Sequence, residues 1–372
     1  MKHALIITTL SRQVYMFQQV NIKCLKDLGY TVHVACNYND YSSRLHEVEV
    51  IRHQIDFDRN PLSIKNISAQ KQLKKLLSAY EFEIIHVNAP TAGFYGRIFS
   101  KNKTKKLIYT AHGFHFFRGS SFYSKIFLII EKLLSKFTDD IITINKEDYE
   151  ALIEHKFYME RRHLINGIGV NESKFAPISP VEKMDLRKNY GFSETDYLLI
   201  FVGELSRGKN QLTLLKIVKE IEDSNLKLIL AGDGEIKNEL QNFIDSNRLN
   251  ERIFLLGYRD DIPNLLHISD LAVSASVREG LPVNIIEAMM VGLPIIVNGC
   301  RGNKDLVNKN GFVINDNNIV QWIESINLIK NNENLSNYFS KNSIRESKKY
   351  TSSTVYKQLL KVYSHTSNII EE

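Results

Sequence analysis

Glu279-Gly280-Leu281-Pro282-Val283-Asn284-Ile285-Ile286-Glu287 sets two carboxylates on either side of a Gly-Leu-Pro turn, with seven residues between them. The apolar run Leu271–Ser274 upstream has the character of a short strand. Downstream, Gly292 suits a helix end, so the spacing predicts a helix over Pro282–Met290 with Pro282 in its first turn. Glu279 then lies on the entering loop and Glu287 about one turn in, and both can face one ligand. A helix N-terminus preceded by Gly280 offers N–H groups and a positive dipole to a phosphate, while the carboxylates accept hydrogen bonds from sugar hydroxyls. Two solvated helix acids share this spacing; the strand–loop–helix setting is what makes it specific.

The same alternation extends in both directions. Strand-like runs at Tyr197–Val202, Lys227–Ala231, Ile253–Leu255 and Ile295–Val297 are separated by helical periods over Gln211–Ile221, Glu235–Ser246 and Asp260–His267. The first half repeats the pattern: strands over His3–Thr9, Val32–Ala35, Ile51–Phe57, Ile84–Val87, Leu107–Thr110 and Asp140–Ile144, with helices over Val14–Leu28, Ile64–Ala79, Tyr123–Phe137 and Lys146–His155. Turn residues in Asn166–Val170, then Pro177 and Pro180, mark a linker before a charged helix around Val181–Tyr190. This is α/β organisation in two doubly wound parallel-sheet domains, expected over residues 1–176 and 177–350. Ligands of such sheets bind beyond the carboxyl ends of the strands, so a cleft between facing domains is the expected site.

At 372 residues the chain exceeds the roughly 250–300 at which single cores stop growing. Cys24, Cys36 and Cys300 form no C-x-x-C pair, which argues against a disulfide framework or a zinc site and fits a reducing cytoplasm. The N-terminal apolar stretch is short and interrupted by Thr8 and Thr9, as a first strand would be and a signal peptide would not. No run approaches the ~20 apolar residues of a membrane span. From Ile84 to Ile130 there is no acid, and Arg97, Lys101, Lys103, Lys105, Lys106, Arg118 and Lys125 give the window a charge of +7. Beside Phe116, Phe117 and the apolar Ile126–Ile130, this suits either an anionic membrane surface or a solvated basic face next to a core helix. No nucleic-acid module accompanies the charge.

Further candidates follow other strands. Gly203-Glu204-Leu205-Ser206-Arg207-Gly208-Lys209-Asn210 supplies a point charge in Lys209 and a forked donor in Arg207, both suited to a diphosphate. Gly232-Asp233-Gly234 permits close backbone approach to a nucleotide and is also an ordinary turn. Arg278 could be a surface cation and receives no firm role, and Arg301-Gly302-Asn303-Lys304-Asp305, following strand Ile295–Val297, would also line the cleft, with a structural turn as its expected role. In Ala111-His112-Gly113-Phe114-His115-Phe116, His112 at a strand end can donate to a sugar hydroxyl, whereas His115 among aromatics suits a structural role. Asp56-Phe57-Asp58 is a D-x-D, read as a loop acid pair, and no metal is expected. No G-x-G-x-x-G follows the first strand, which disfavours a NAD-dependent oxidoreductase.

With these motifs the chain resembles the family 4 retaining glycosyltransferases of GT-B fold along nearly its whole length. Tyr109–His115 and Ile144–Asp148 make it most similar to bacterial capsule and exopolysaccharide glycosyltransferases. The resemblance implies that Glu287 holds the donor ribose, Glu279 the donor sugar, Gly280 with the Leu281–Pro282–Val283 turn the diphosphate, and Gly257-Tyr258-Arg259 the base, Arg259 mainly through its backbone. It implies His112 as a functional residue, no cofactor beyond the nucleotide-sugar co-substrate, a polyprenyl-diphosphate-linked sugar as acceptor, and a C-terminal helix, 351–368, returning to the first domain. The chain would then work in the cytoplasm, peripherally on the inner face of the membrane, with Arg12, Phe116, Phe117 and Arg118 on the acceptor and membrane side. Two departures stand out: Glu204 occupies the usual arginine position, leaving that role to Arg207, and the first loop, Thr9-Leu10-Ser11-Arg12-Gln13, has no glycine. A nucleotide-sugar epimerase or hydrolase, and a non-catalytic subunit of a polysaccharide-synthesis complex, are the competing readings.

Overall fold

Apolar strands buried on both faces and amphipathic crossovers build two parallel sheets. A computed structural model describes residues 2–39, 48–117 and 124–364. The chain divides into two compact units, Met1–Gly169 with Ser352–Glu372, and Val170–Thr351. The division falls at 169/170 rather than 176/177. Val170 N–H donates to the Tyr350 carbonyl and Val170 bridges Thr351, and Phe175 is buried, so 170–176 is structured with the second unit.

The first unit runs β1 (Lys2–Leu10), α1 (Arg12–Phe17), α2 (Gln19–Asp27), β2 (Tyr30–Asn37), β3 (Ile51–Gln54), α3 (Asn66–Ala79), β4 (Phe82–Asn88), α4 (Pro90–Ser100), β5 (Thr104–Ala111), α5 (Ser124–Leu134), β6 (Asp140–Thr143), α6 (Lys146–Glu154) and β7 (Arg161–Leu164). Its strands pair in the order β3-β2-β1-β4-β5-β6-β7, all parallel. The single helix expected over Val14–Leu28 is broken at Gln18, whose φ of −110° and ψ of 1° leave the helical region and whose side chain accepts from Asn21 at 3.0 Å. The strand expected to reach Phe57 stops at Gln54, because the Asp56 N–H turns to the Gln72 side chain at 2.8 Å.

The second unit runs α7 (Pro180–Asn189), β8 (Tyr197–Val202), α8 (Gln211–Glu220), β9 (Leu226–Ala231), α9 (Lys237–Ser246), β10 (Ile253–Gly257), α10 (Ile262–Ile268), β11 (Leu271–Ser274), α11 (Val283–Met290), β12 (Ile295–Asn298), β13 (Gly311–Ile314), α12 (Ile319–Lys330) and α13 (Glu333–Ser347). Its parallel order is β10-β9-β8-β11-β12-β13. In both sheets the order reverses beside the first strand, at β1/β4 and β8/β11. That reversal is the switch point where a doubly wound sheet opens to a ligand.

The last helix, α14 (Ser352–Ser364), lies on α2 of the first unit and buries Val355, Leu359, Val362 and Tyr363. Tyr363 Oη sits 2.6 Å from Nδ1 of the fully buried His86 and 2.9 Å from Asn21 Oδ1; His86 Nε2 meets Thr110 Oγ1 at 2.7 Å. Satisfying these buried polar atoms contributes roughly 0.5–1.5 kcal/mol per hydrogen bond, and leaving one unpaired costs more.

Candidate active site

In the second unit, loops leaving β8 and β11 meet at the switch point. Asn210, in the left-handed region at φ 55°, starts α8 and donates to the Ala275 carbonyl at 3.4 Å, while Val277 N–H donates to the Gly208 carbonyl at 3.0 Å. These ties bring Lys209 Nζ to 2.6 Å from Glu279 Oε1, with the carboxylate almost buried and the lysine partly so. The cation expected on the diphosphate and the acid expected on the sugar thus form an ion pair.

The Glu279-Gly280 turn is supported from behind. Arg301, 5% exposed, donates to the Glu279 carbonyl at 3.1 Å. Gly302, at φ +77°, passes so close that a Cβ there would lie 2.2 Å from the Gly280 oxygen. Asn298 donates to the Ser276 carbonyl and Asn303 to that of Asn298, at 3.0 and 3.1 Å. This cluster of polar residues was not singled out from sequence beyond the expected turn. Glycine and asparagine at 298–303 are its only signal, because both favour turns.

Pro282 is the residue before α11 rather than its first helical residue, with φ −74° and ψ 111°, and no side chain caps the helix. Leu281 and Pro282 are buried, so this turn presents backbone, not side chains. Asn284 holds the helix start to β8 by donating to the Val202 carbonyl. One turn on, no hydrogen bond or ion pair among the described residues engages the Glu287 carboxylate, and burial pushes its pKa up to about 7, opposed only by Lys174.

Other candidates sit elsewhere. Arg207 is 84% exposed and faces Glu239 at 3.7 Å, away from the Lys209–Glu279 pair. Arg259 forks onto Asp261 at 2.7 and 2.5 Å, which holds that carboxyl down at about 2 and occupies the guanidinium, while the Tyr258 side chain beside it is exposed. Gly232, at φ +156°, lies against the loop after β8: a Cβ there would stand 1.8 Å from the Gly203 oxygen. Gly203 in turn donates its N–H to Ala231 at 2.9 Å, so the two glycines let adjacent loops touch.

In the first unit, His112 follows β5 and its Nε2 lies 3.1 Å from Asn88 Oδ1 at the end of β4; burial lowers its pKa to about 4, so the ring is neutral at pH 7. The Asn88 amide nitrogen is buried without a partner. The glycine-free loop is organised by Gln13, whose Oε1 accepts from Thr8 Oγ1 at 2.6 Å and from the N–H groups of Thr9 and Leu10 at 3.1 Å each. The loop's donors therefore serve its own shape. Arg12 is exposed at the start of α1.

The basic, aromatic window is divided by the fold. Phe116, expected on a membrane side, is 6% exposed and stacks on Phe114 at 4.7 Å in the core; Phe117 lines a cavity of about 320 Å³ with Leu128, Ala151 and His155; Arg118 lies outside the described residues. Arg97 is buried against Glu131 at 2.8 Å, and Lys106 against Asp140 at 3.3 Å. Asp56 accepts from Gln54 and Gln72, and Asp58 from the Asn60 N–H. Among the described residues no group of three His, Cys, Asp or Glu side chains is arranged to hold a metal, and no helix is long and apolar enough to cross a membrane.

Two Rossmann-like units, the second with Lys209 paired to Glu279 at its switch point, have the GT-B architecture. Residues 182–346 match the model of glycosyl transferases group 1 and residues 5–145 that of glycosyl transferase 4-like proteins. The chain is 32% identical to the glycosyltransferase-family protein EpsD of Bacillus subtilis, over 84% of this chain and 83% of that one. It is 33% identical to the UDP-Gal:alpha-D-GlcNAc-diphosphoundecaprenol alpha-1,3-galactosyltransferase of Escherichia coli, over 76% of each. Among solved structures, Anabaena Alr3699/HepE in complex with UDP and glucose superimposes with a TM-score of 0.83 at 20% identity, covering 98% of this chain and all of that one. The chain belongs to the group 1 glycosyl transferases.

Proposed function

We propose that the protein transfers a hexose or N-acetylhexosamine from a UDP-sugar to a polyprenyl-diphosphate-linked saccharide, with retention at the anomeric carbon and without a metal, in bacterial capsule or exopolysaccharide synthesis. The observation that carries the reading is the Lys209–Glu279 pair at 2.6 Å beside the uncapped start of α11. A diphosphate can take Lys209 and the first-turn N–H groups, which leaves Glu279 to accept from the sugar. Glu287, two helical turns' distance or less from that start, is placed for the ribose. The E. coli relative's name supports both the UDP donor and the lipid-diphosphate acceptor, and the UDP complex of the Anabaena protein is consistent with that donor.

The reaction breaks the bond between the anomeric carbon and the diphosphate oxygen. The acceptor hydroxyl oxygen bonds to the same carbon from the same face, and its proton passes to the departing diphosphate oxygen. Catalysis is then positioning and stabilisation of the leaving group's charge by Lys209 and the helix N-terminus. Neutral His112 serves as a hydrogen-bond partner for a sugar hydroxyl, and Arg207, from its exposed position, engages the diphosphate only by turning inward. In this reading the protein works peripherally on the cytoplasmic face of the membrane, which action on a lipid-linked acceptor supports.

A thermal-shift screen of nucleotide sugars tests the donor assignment. UDP-sugars should raise the melting temperature with the logarithm of concentration, and GDP-, ADP- and dTDP-sugars should not. Product formed from the donor without acceptor would instead indicate the epimerase or hydrolase reading. Donor binding with no turnover under any acceptor would indicate the non-catalytic subunit.

A further inference from the structure

The most exposed large apolar side chains of the described residues are Leu62 and Ile64, at 88% and 82%. They stand on the loop before α3, and its backbone is firmly held. Thr91 donates to the Arg59 carbonyl at 2.8 Å, Tyr95 to the Pro61 carbonyl at 2.7 Å, and Asn66 to the Asn60 carbonyl at 2.9 Å. The Leu62 N–H is taken by the Asn60 side chain and the Ser63 N–H by the Asn60 carbonyl, both at 3.0 Å. These bonds hold most of the loop backbone while two large apolar side chains project from it, so it can enter an apolar medium with few backbone groups left unpaired.

The surroundings specify that medium. Right-handed crossovers put α3, α4 and α5 on one face of the first sheet, with α4 between its neighbours. On α5 the exposed residues include Ile126, Phe127, Ile129 and Leu133, each 44–57% exposed, and Ile67 of α3 is 56% exposed. Apolar exposure on this scale marks an interaction surface. Cations predominate on it, the nearest acids being Asp58 before α3 and Glu154 of α6, which lines a cavity beside Lys125. Neither α3 nor α4 contains an acid, and the single acid of α5, Glu131, is taken by buried Arg97 within the layer. Arg59, Lys65, Lys71, Lys75, Lys125 and Lys136 are exposed around the apolar residues. Cations around apolar side chains match anionic headgroups over acyl chains.

We propose that the Pro61–Ile64 loop and the outer side of α5 dock this unit onto an anionic phospholipid bilayer, Leu62 and Ile64 entering the acyl boundary. Both α3 and α5 begin at the carboxyl ends of their strands, the end that carries His112. Docking there keeps His112 near the headgroups, where a lipid-linked acceptor would present its sugar; this last consequence rests on the proposed function, while the docking itself does not.

The experiment is cosedimentation of the full chain with vesicles of phosphatidylglycerol and phosphatidylcholine, and of phosphatidylcholine alone, at low and high salt. The wild type should bind the anionic vesicles at low salt and lose most binding at high salt or without the anionic lipid. Leu62→Ser/Ile64→Ser should weaken binding about tenfold, equivalent to roughly 1.4 kcal/mol, with an unchanged melting temperature. Val181→Ser/Val320→Ser, at exposed positions of the second unit, should bind as the wild type does. Equal binding by wild type and Leu62→Ser/Ile64→Ser, or no binding to anionic vesicles, overturns the proposal. So does a wild-type dimer in ultracentrifugation that the double substitution dissolves, which would give the face to a second copy. UDP-sugar thermal shifts need no vesicles, so failure of docking and failure of the donor assignment are separate results.

Discussion

Lys209 donates to Glu279 across the switch point of the second sheet, joining the loop after β8 to the loop after β11 at 2.6 Å. Each residue is the other's partner before a donor arrives. A diphosphate that draws Lys209 away must therefore bring a hydroxyl for Glu279, or leave an almost buried carboxylate without a partner.

UDP lacking its sugar takes the cation and offers Glu279 nothing. Glu279→Gln should thus bind UDP about as well as or better than the wild type, yet bind UDP-sugar more weakly. Lys209→Ala should lower kcat by about 10²- to 10³-fold, the cost of removing one stabilising donor from developing charge, while the melting temperature moves by no more than about 4 °C. Calorimetric titration with both ligands, together with initial rates, checks this. An unstable but active Lys209→Ala would refute its role.

If Glu287 holds the donor ribose as proposed, donor binding should depend on pH. Burial raises its pKa to about 7, so near pH 7 about half the molecules carry it protonated, and a ribose that donates hydrogen bonds favours the carboxylate. Donor affinity should rise with pH up to about 8 and level off, with proton release on binding near pH 7. Glu287→Gln should abolish both. Titrations in buffers of different ionisation enthalpy measure the release; an unchanged pH profile in Glu287→Gln would assign the titration elsewhere.

Gly302 lies directly behind the Glu279-Gly280 turn, and a Cβ would sit 2.2 Å from the Gly280 oxygen at a φ of +77°. Gly302→Ala must displace that turn, and a shift of about 1 Å at a positioning group costs on the order of 10²-fold in rate. Gly191→Ala, also at positive φ but with open space around it, carries backbone strain without touching the site. Comparing kcat at equal fractions folded separates the two; equal losses would remove Gly302 from the site.

Acid should weaken the first unit ahead of the second. Burial lowers His33 to about 4, His86 to about 3 and His112 to about 4, all in the first unit. A histidine depressed on folding contributes stability that is fully present above its unfolded value of about 6.5 and is lost as pH falls toward the folded value. Glu287, raised on folding, acts oppositely in the second unit: its contribution is present below about 4.3 and lost as pH rises through about 7. The protein's one tryptophan, Trp322, is buried in the second unit. Between about pH 7 and 5 the far-ultraviolet dichroism transition in urea should move to lower denaturant relative to the Trp322 fluorescence transition. Coincident shifts would contradict this division.

How much of this was legible in the sequence depended on whether a residue's reason is local. Tyr197–Val202 and Leu271–Ser274 coincide with β8 and β11 because an apolar run between turns needs nothing distant to explain it. Helix α4 escaped notice because Gly93 and Gly96 resemble breakers. In the structure a Cβ at Gly93 would meet the Tyr109 ring at 2.8 Å and one at Gly96 the Val87 side chain at 2.6 Å, so the glycines let the helix lie against its sheet. β7 and α13 carry polar patterns and depend on neighbours for their burial, whereas β13 and α12 are apolar elements outside the expected set. At the site, the approach of Lys209 to Glu279 followed from their strand-end positions. The Arg301, Gly302 and Asn298 support did not, since it acts through backbone atoms of a loop some twenty residues away in sequence. Charge runs proved least readable: Arg97 and Lys106 look like surface cations and are buried ion pairs, while Leu62 and Ile64 lie outside the window that seemed to face a membrane.

The proposed function requires acceptor-dependent sugar transfer at the site built around Lys209 and Glu279. The most direct test incubates the purified chain with UDP-sugars and a polyprenyl-diphosphate-linked saccharide, then determines the new linkage by proton NMR. A glycosylated lipid whose new bond keeps the donor's anomeric configuration, formed with stoichiometric UDP and lost in Lys209→Ala, is the expected result. An inverted linkage, or UDP release at the same rate without acceptor, would contradict it.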